Sequence, residues 1–577
     1  MHYEIRAENP NQQYVQIRAT FQVEQEQVDL QFPKWRPGRY ELGNFAKNVK
    51  AFHVVDSAGN ALESKKIDTH VWRVKTAKSK EIQVVYSYYA AELNAGSTFL
   101  SEEMLYVNPV NCLVYILGLE NVPCSLQVYL NKKMLYAGTL EENQGLMKTN
   151  SYHDLVDSPF VYCSALNSET YTVENTTFRV SFIGINEVPW EKVFADFHKF
   201  TAKQFADFGH FPAPTFHFIN IITPYAHYHG VEHRASTIIL LGPSHKIFNE
   251  YYDELLGISS HELYHVWNVK SIRSADLWPY DYSKENLSSM GYLCEGITTY
   301  LGDYYLMSSG VWSTKKYLEE WEQVIQKHLD NPGRFHASLA ESSLDTWLDG
   351  YVPGAPGRKT SIYNEGAIFA FITDIFIRKN TLGMKTIHDI MHYLYHEFFI
   401  NNLGITDQDF IATVERISGN STFKDLFKKL VFGRICYSEP LIEALGNIGL
   451  TLESSQTKER TASYLGLKIT VDAGVTKVQS ILPDSVAEKA GFVIGDKFLA
   501  VNNFVILNDL EHWLHYLRGQ DLEMLLNRNG KLVRIHVSAH TNSYFRKIKI
   551  KPTDQPSESE LNLFLSWAHQ QKTSESL

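Results

Sequence analysis

The sequence has few cysteines, no excess of positive charge and no long hydrophobic run. Its five cysteines are scattered along 577 residues without a C-x-x-C pair, which argues against a disulfide scaffold or a cysteine-based zinc site and is typical of a reducing compartment. With 54 basic and 65 acidic residues, the chain is not expected to bind nucleic acid. The most apolar stretch, residues 366–377, contains Asp374 and is shorter than the ~20 residues of a membrane span. Membrane insertion is therefore not expected.

The first residues lack the pattern of a secretory signal peptide. The segment MHYEIRAENPNQQ has no basic start and no apolar run before a small-residue cleavage site, so we expect a cytoplasmic protein. The composition that is present, 44% hydrophobic and 13% aromatic, is sufficient for several buried cores. A chain of this length is expected to form roughly three to five domains.

Hydrophobic periodicity predicts two large domains. Residues 1–168 are predicted to form an all-β, sandwich-like domain, because apolar and polar side chains alternate at 15–23 and again at 82–88. Residues 169–455 change to an α+β pattern, in which a short strand region precedes helices. The predicted strands of this second domain span 216–222 and 236–241, and its predicted helices include 251–269, 295–307, 315–329, 366–378 and 386–398.

Two smaller units are predicted to follow. Residues 456–545 return to short strands, and residues 546–577 form a tail with a short helix at 557–570. Ser557 followed three residues later by Glu560 is a capping-box pattern. The apolar face of this helix is predicted to dock on the body through Leu561, Phe564, Leu565 and Ala568.

The string His261-Glu262-Leu263-Tyr264-His265 indicates zinc chemistry. On a helix, residues i and i+4 project from one face, so both imidazoles can bind one Zn²⁺. Glu262 then lies beside the water on the metal and can act as its general base. The motif is short, and in a chain with 23 histidines two histidines on a helix can also be surface residues.

A zinc hydrolase keeps one coordination position for water and needs a third protein ligand. Glu295, 30 residues after His265, is the best candidate, since this separation accommodates a loop and a returning helix. An acidic residue in an apolar segment must be paired or metal-bound; a hydrated glutamate at a helix start is the alternative. Thr299, one helical turn later, is expected to orient one of the histidines.

Two separated segments, HELYHVWNVKSIR at 261–273 and YLCEGITTYLGDYY at 292–305, together resemble the glycyl aminopeptidase family. These are zinc peptidases of the gluzincin type that carry a PDZ domain. KWRPGRY at 34–40 is similar to the family's β-domain signature, so the resemblance covers most of the chain. It implies a thermolysin-like peptidase domain at 169–455, one zinc ion per chain and a PDZ domain at 456–545. The implied zinc ligands are His261, His265 and Glu295.

The resemblance also implies residues that face the substrate. Gly230-Val-Glu-His233 is similar to a glycine-rich motif of related aminopeptidases whose glutamate grips the free α-amine of the substrate. Glu232 would then restrict cleavage to the first residue. Tyr363 resembles a tyrosine that stabilises the tetrahedral oxyanion, although Glu365 stands where the family usually has lysine. An ordinary loop glutamate and a core tyrosine are the alternatives.

Tyr464-Leu-Gly-Leu467 is similar to the carboxylate-binding loop of PDZ domains. The resemblance implies that backbone N–H groups of Leu465, Gly466 and Leu467 hold the C-terminal carboxylate of a peptide, which adds a strand to the domain. A packing module that binds no peptide is the alternative.

Together these features predict a zinc aminopeptidase that removes a small first residue, glycine or alanine, from peptides with a free N-terminus. The preference for small residues comes from the resemblance alone. Two alternatives stay open. A zinc endopeptidase would cleave N-terminally blocked peptides, and a non-catalytic scaffold would bind peptide C-termini through its PDZ domain without zinc.

Overall fold

The computed structural model describes residues 1–352 and 354–569. Its first part folds into three β-sheets around a core of buried aliphatic and aromatic side chains. The strands described here are β1 His2–Ala7, β2 Tyr14–Gln22, β3 Gln27–Gln31, β4 Val49–Asp56, β5 Ser64–Asp68, β6 Val71–Lys75, β7 Glu81–Tyr89, β8 Phe99–Leu100, β9 Met104–Val107, β10 Tyr115–Ile116, β11 Cys124–Leu130, β12 Leu135–Gly138, β13 Leu146–Thr149 and β14 Phe160–Cys163. Two short helices, α1 Pro109–Cys112 and α2 Tyr152–Val156, connect them.

The largest of these sheets has the strand order β13-β11-β1-β2-β7-β4, and the other two have the orders β10-β3-β6-β5 and β12-β14-β9-β8. In β2, Val15, Ile17, Ala19 and Phe21 are buried, whereas every second residue between them is at least partly exposed. This alternation is the physical basis of the sandwich-like arrangement, because each strand contributes one apolar face to the core. The predicted all-β, sandwich-like N-terminal domain is confirmed.

A five-stranded sheet with the order β15-β16-β17-β19-β18 follows. Its edge strand, β18, runs antiparallel to β19, and its outer edge pairs with no other strand of the described residues. Of these five strands, the sequence pattern predicts only β17 and β19. The segment HYHGVE of β18 is largely polar and lacks the alternation of apolar and polar residues that indicates a strand. The strands are β15 Asn167–Val173, β16 Thr176–Ile183, β17 Thr215–Ile222, β18 His227–Glu232 and β19 Ser236–Gly242.

Helices form the rest of this part and share one large apolar core with the sheet. They are α3 Trp190–Phe208, α4 Tyr252–Tyr264, α5 Thr298–Ser308, α6 Thr314–Asp330, α7 Leu339–Asp349, α8 Asn364–Asn380, α9 Ile387–Leu394, α10 Asp407–Ser418, α11 Phe423–Phe427 and α12 Ser438–Asn447. The helix predicted at 251–269 ends at Tyr264, and the one predicted at 386–398 ends in a π-helical turn at Tyr395–Phe399.

A second π-helical segment, Tyr292–Ile297, leads directly into α5. It crosses α8 where Gly296 meets Gly366, and a Cβ atom on either glycine would collide with the backbone of the other. This close approach explains why small residues are needed at the crossing. It also fixes the position of Glu295, the residue that precedes Gly296.

The C-terminal part contains a five-membered strand path, β21-β22-β23-β25-β26, with β24 paired to β23, and a separate pair of β20 and β27. Residues 456–545 thus form a β-rich unit with its own small core. The elements are β20 Leu450–Gln456, β21 Leu467–Asp472, β22 Val475–Ile481, α13 Val486–Ala490, β23 Lys497–Val501, β24 Phe504–Val505, α14 Leu510–Tyr516, β25 Leu522–Arg528, β26 Lys531–Val537, β27 Arg546–Pro552 and α15 Glu558–Ala568.

The predicted capping box at the start of α15 is confirmed: Ser557 and Glu560 exchange hydrogen bonds between side chain and backbone. Phe564, Leu565 and Ala568 are buried, as the predicted apolar face requires, and Leu561 is half-buried; Gln570 lies outside the described residues. In the part of the chain that the structure describes, no helix combines the length and apolarity needed to cross a membrane.

Candidate active site

A cleft of about 450 Å³ lies between β18, α4, α5 and α6, and a loop of the N-terminal domain forms one end of it. All three residues predicted as zinc ligands line this cleft, together with Glu262, Glu232, Gly230 and Tyr363. Residues more than 130 positions apart in the sequence therefore lie at one site. The fold brings them together by placing the edge strand β18 beside the helices α4 and α5.

His261, His265 and Glu295 form a compact group of ligand atoms. The Nε2 atoms of His261 and His265 are 3.0 Å apart, and Glu295 Oε2 lies 3.6 Å and 3.5 Å from them respectively. The three ligand atoms all lie within 4.8 Å of one another. Two imidazoles and one carboxylate are ligand types that zinc prefers. These residues therefore fit a single zinc ion that leaves one position open.

Contacts to the Nδ1 atom of His265 fix the orientation of its imidazole ring. Its Nδ1 lies 3.3 Å from the backbone oxygen of Asn268 and 3.4 Å from Oγ1 of Thr298. The Asn268 side chain in turn donates to Leu293 O at 2.7 Å and to Thr298 Oγ1 at 2.9 Å. The predicted orienting role of Thr299 is wrong for His265: Thr298 makes that contact and Thr299 lines the cleft, because the π-helical turn before α5 disturbs the four-residue periodicity.

Burial and three carboxylates set the electrostatics of this group. Burial raises the pKa of Glu262 well above its ordinary value, and the charges of Glu232 and Glu295 raise it further. Burial opposes ionisation of Glu295, but His265 and His261 outweigh it and hold its pKa at about 2. Burial likewise lowers the pKa of His265, but Glu295 and Glu232 outweigh it and raise the pKa to about 9. Three buried carboxyl groups close together favour the binding of a cation among them.

Glu262 packs directly against the edge strand. Its Oε2 atom is buried and has no hydrogen-bond partner among the described residues, which leaves it free to meet water or substrate. A Cβ atom on Gly230 would overlap the Glu262 carboxyl group. Glycine at this position therefore lets the strand approach the candidate general base closely.

We expect Gly230→Ala to lower kcat about 10- to 100-fold while zinc content stays unchanged. The added methyl group displaces the Glu262 carboxylate, and a misplacement of about 1 Å costs roughly 100-fold. Steady-state kinetics on a glycyl substrate measure the effect. Gly446→Ala is the matched control, since a Cβ at this helical glycine meets no atom within 4 Å. Full activity of the 230 variant would contradict the placement of Glu262.

Glu232 lies at the closed end of the cleft. It is buried, and its Oε1 atom lacks a hydrogen-bond partner within the described ranges. The loop that contains Arg36 and Gly38 reaches over from the N-terminal domain, and a Cβ on Gly38, whose φ is +87°, would collide with the Glu232 carboxylate. Arg39 Nη1 of the same loop lies 3.1 Å from His229 Nε2 on β18. The N-terminal domain thus walls off this end of the cleft.

Tyr363 immediately precedes α8 and lies in the cleft beside Tyr351, which the sequence does not single out. Their hydroxyl oxygens are 3.4 Å apart. Burial raises the pKa of Tyr363 well above its ordinary value, with Glu295 and Tyr351 adding to the effect. The phenol therefore keeps its proton and can donate a hydrogen bond to a developing oxyanion.

Glu365, which stands where the resembled family usually has lysine, has a structural role here. Its carboxylate accepts from the Ser361 backbone N–H at 2.8 Å and lies 3.1 Å from His328 Nδ1. Both Glu365 and His328 are buried. This pair anchors the start of α8 next to Tyr363.

We expect Glu365→Ala to destabilise the protein by about 3 kcal/mol, because removing one partner of a buried charged pair leaves the other uncompensated. A thermal unfolding transition lowered by several degrees is the measurement. Glu439→Gln is the control, because its side chain is 87% exposed and, among the described residues, forms an ion pair only with Lys429. Equal transitions for the two variants would show that the Glu365–His328 pair does not anchor α8.

The predicted PDZ loop is partly occupied by the chain itself. Gly466 adopts a left-handed φ of +78° and donates its N–H to Ala462 O at 3.2 Å, while Leu467 pairs with Ile481 and Leu465 is buried. Tyr544 packs against this loop, and its backbone N–H donates to Ser463 O at 2.9 Å. Peptide binding through Leu465, Gly466 and Leu467 stays a prediction.

Comparison with known proteins agrees with this site. The N-terminal domain of peptidase M61 matches residues 2–164, and the M61 glycyl aminopeptidase domain matches residues 254–369, which include the three candidate ligands. No curated protein matches the chain.

Among solved structures, an aminopeptidase N family protein from Idiomarina loihiensis is similar over 98% of this chain and 99% of its own, with 23% identity and a TM-score of 0.90. An M1 zinc metallopeptidase from Deinococcus radiodurans matches 75% of this chain and 94% of its own, with 14% identity and a TM-score of 0.45. The first likeness shows a shared fold. Residues 2–164 and 254–369 thus match the N-terminal and catalytic domains of M61 glycyl aminopeptidases, and the chain is a peptidase.

Proposed function

We propose that this peptidase is a zinc aminopeptidase that hydrolyses the first peptide bond of peptides with a free N-terminus and a small first residue, glycine or alanine. The closed end of the cleft carries the proposal. Glu232 Oε1 has no hydrogen-bond partner in the described part of the chain, and the loop containing Gly38 packs directly against this carboxylate. A substrate ammonium would pair with Glu232 there, and the loop would prevent the substrate from extending further. The description of the matched domain as a glycyl aminopeptidase supports the small first residue.

His261, His265 and Glu295 would hold one zinc ion per chain. Zinc bound to such ligands polarises a scissile carbonyl and makes a coordinated water more acidic. Asn268 and Thr298 keep His265 in the orientation that presents its Nε2 atom to the cleft.

The remaining steps belong to side chains of this protein. Glu262 takes a proton from the attacking water and delivers it to the leaving amine. Tyr363 donates a hydrogen bond to the oxyanion as the carbonyl becomes tetrahedral. Glu232 pairs with the ammonium group, and the open edge of β18, which includes Gly230, offers backbone hydrogen bonds to an extended substrate.

Glycyl-, alanyl- and leucyl-anilides, each beside its N-acetylated form, test the proposal. We expect fast cleavage of the free glycyl and alanyl compounds and only a very low rate for the acetylated ones. Equal cleavage of acetylated compounds would favour an endopeptidase in which Glu232 does not read the amine. No turnover and no bound metal would favour a peptide-binding scaffold.

A further inference from the structure

We infer that the end of the cleft opposite Glu232 binds a basic side chain, lysine or arginine, within the first two residues after the scissile bond. The inference rests on the proposed aminopeptidase function, because Glu232 fixes the direction in which the substrate runs. It concerns the leaving part of the substrate, whereas the proposed function concerns the first residue.

The direction follows from the edge strand. β18 runs from His227 to Glu232, and Gly230 between them lies against Glu262. With the substrate ammonium at Glu232 and the scissile bond near Glu262, the leaving part of the peptide must extend along β18 towards Tyr228. Tyr228 is 60% exposed and lines the same cleft.

Helical spacing places two acidic side chains along this path. On α4, Gly257 and Glu254 precede His261 by four and seven residues, and on α5, Asp303 follows Thr299 by four. Residues at these intervals share a helix face, and all four line the cleft. The seven residues between Glu254 and His261 correspond to about 10 Å along a helix. Two extended residues at about 3.3 Å each, with a long basic side chain, cover that distance.

A notch between α4, α5 and α6 has the shape and chemistry that such a side chain needs. A Cβ atom placed on Gly257 would lie 3.7 Å from Oδ1 of Asp303 and 3.8 Å from the Trp312 ring. The glycine therefore leaves a gap that has a carboxylate on one side and an indole on the other. The methylene stem of lysine or arginine packs on an aromatic face, while its charged end pairs with a carboxylate.

The charge balance of the notch also favours a cation. Within the described ranges, this end of the cleft is lined by one cation, Lys316, and by four acidic residues, Asp253, Glu254, Asp303 and Glu320. Lys316 Nζ is already engaged, at 3.1 Å from Asp253 and 2.8 Å from Glu320.

Asp303 itself is half-buried and has no hydrogen bond or ion pair with any residue of the described chain. Burial, with the charge of Glu320 adding, raises the pKa of Asp303 to about 7. A cation that binds next to this partly buried carboxyl group stabilises its charged, deprotonated form. Binding a cation at Asp303 therefore breaks no ion pair that this residue makes within the described chain.

Peptides with lysine at the second or third position, Gly-Lys-Ala-Ala and Gly-Ala-Lys-Ala, test the inference against matched peptides with methionine in place of lysine. We expect the wild-type enzyme to favour at least one lysine peptide by about tenfold in kcat/KM, the effect of one charge-assisted hydrogen bond. In Asp303→Asn this ratio should fall to about twofold. Glu319→Gln, an exposed residue of α6 outside the cleft, should keep the wild-type ratio.

Lys316→Gln supplies a second variant, and it should raise the lysine-to-methionine ratio, because it removes the competing cation. Equal kcat/KM for lysine and methionine peptides in the wild type would overturn the inference, as would an unchanged ratio in Asp303→Asn. Failure of the wild type to remove glycine from any of the peptides would instead contradict the proposed aminopeptidase function, so the two failures are distinguishable.

Discussion

Replacing Glu262 by glutamine is expected to lower kcat for a glycyl anilide about 1,000-fold. Glutamine has nearly the same shape but cannot accept a proton, and a positioned general base contributes roughly 10²- to 10⁴-fold. Glu262 is not one of the three candidate ligands, so one zinc per chain should remain. Its buried carboxyl, whose Oε2 has no hydrogen-bond partner, makes no hydrogen bond or ion pair within the described residues whose loss would explain such a decrease.

Steady-state kinetics and metal quantification on the same preparations measure this effect. Glu250→Gln is a matched control, because this exposed glutamate lies just before α4 and pairs with Lys246 on the surface. Its activity should equal that of the wild type. If Glu262→Gln kept more than a tenth of the activity, or lost its zinc, Glu262 would not be the general base.

Replacing Glu232 by glutamine is expected to lower kcat/KM for free glycyl substrates about 100- to 1,000-fold. The substrate ammonium would then be buried without its counter-charge, and removing one partner of a buried ion pair costs about 3–5 kcal/mol. N-acetylated substrates carry no ammonium, so their low rates should not fall further. The strong discrimination between free and blocked amines should therefore largely disappear.

The ratio of kcat/KM for free and acetylated glycyl anilide is the decisive quantity for Glu232. Glu174→Gln, an exposed residue in the turn between β15 and β16, should preserve the wild-type ratio. A variant at 232 that still discriminates as the wild type does would show that another group binds the amine. Retained activity of the control excludes a general effect of removing a carboxylate.

The grouping of the three candidate metal ligands could be predicted because their geometry is local or nearly so. His261 and His265 are one helical turn apart, and this spacing alone brings their Nε2 atoms to 3.0 Å. Glu295 follows from the apolar character of its segment, which leaves a carboxylate no water to face. The sandwich-like N-terminal domain follows from strands such as β2, whose alternation is regular.

Other parts of the site depend on contacts that no local pattern encodes. The π-helical segment at Tyr292–Ile297 is accompanied by the packing of Gly296 on Gly366, and this turn makes Thr298 the partner of His265. The side chains of β18 are largely polar because this edge strand lines the cleft. Its sequence therefore lacks the alternation of apolar and polar residues that indicates a strand. Tyr351 belongs to the segment between α7 and α8 and meets Tyr363 only in the folded chain.

The sequence pattern also does not predict that the N-terminal domain contributes to the cleft. Its KWRPGRY segment supports a family resemblance, but the role of Gly38 as the wall beside Glu232 depends on how the two domains pack. The closed end of the cleft is therefore a property of the assembled fold. It is also the feature that makes an exopeptidase the better proposal.

Mass spectrometry of a single peptide, Gly-Ala-Gly-Ala-Phe-Lys, incubated with the zinc-loaded protein tests the central claim most directly. We predict a ladder that begins with loss of the N-terminal glycine, disappears when the metal is chelated and returns when zinc is added. The N-acetylated peptide should stay intact. Internal fragments that appear before any loss of the first residue, or cleavage that continues without metal, would contradict a zinc aminopeptidase.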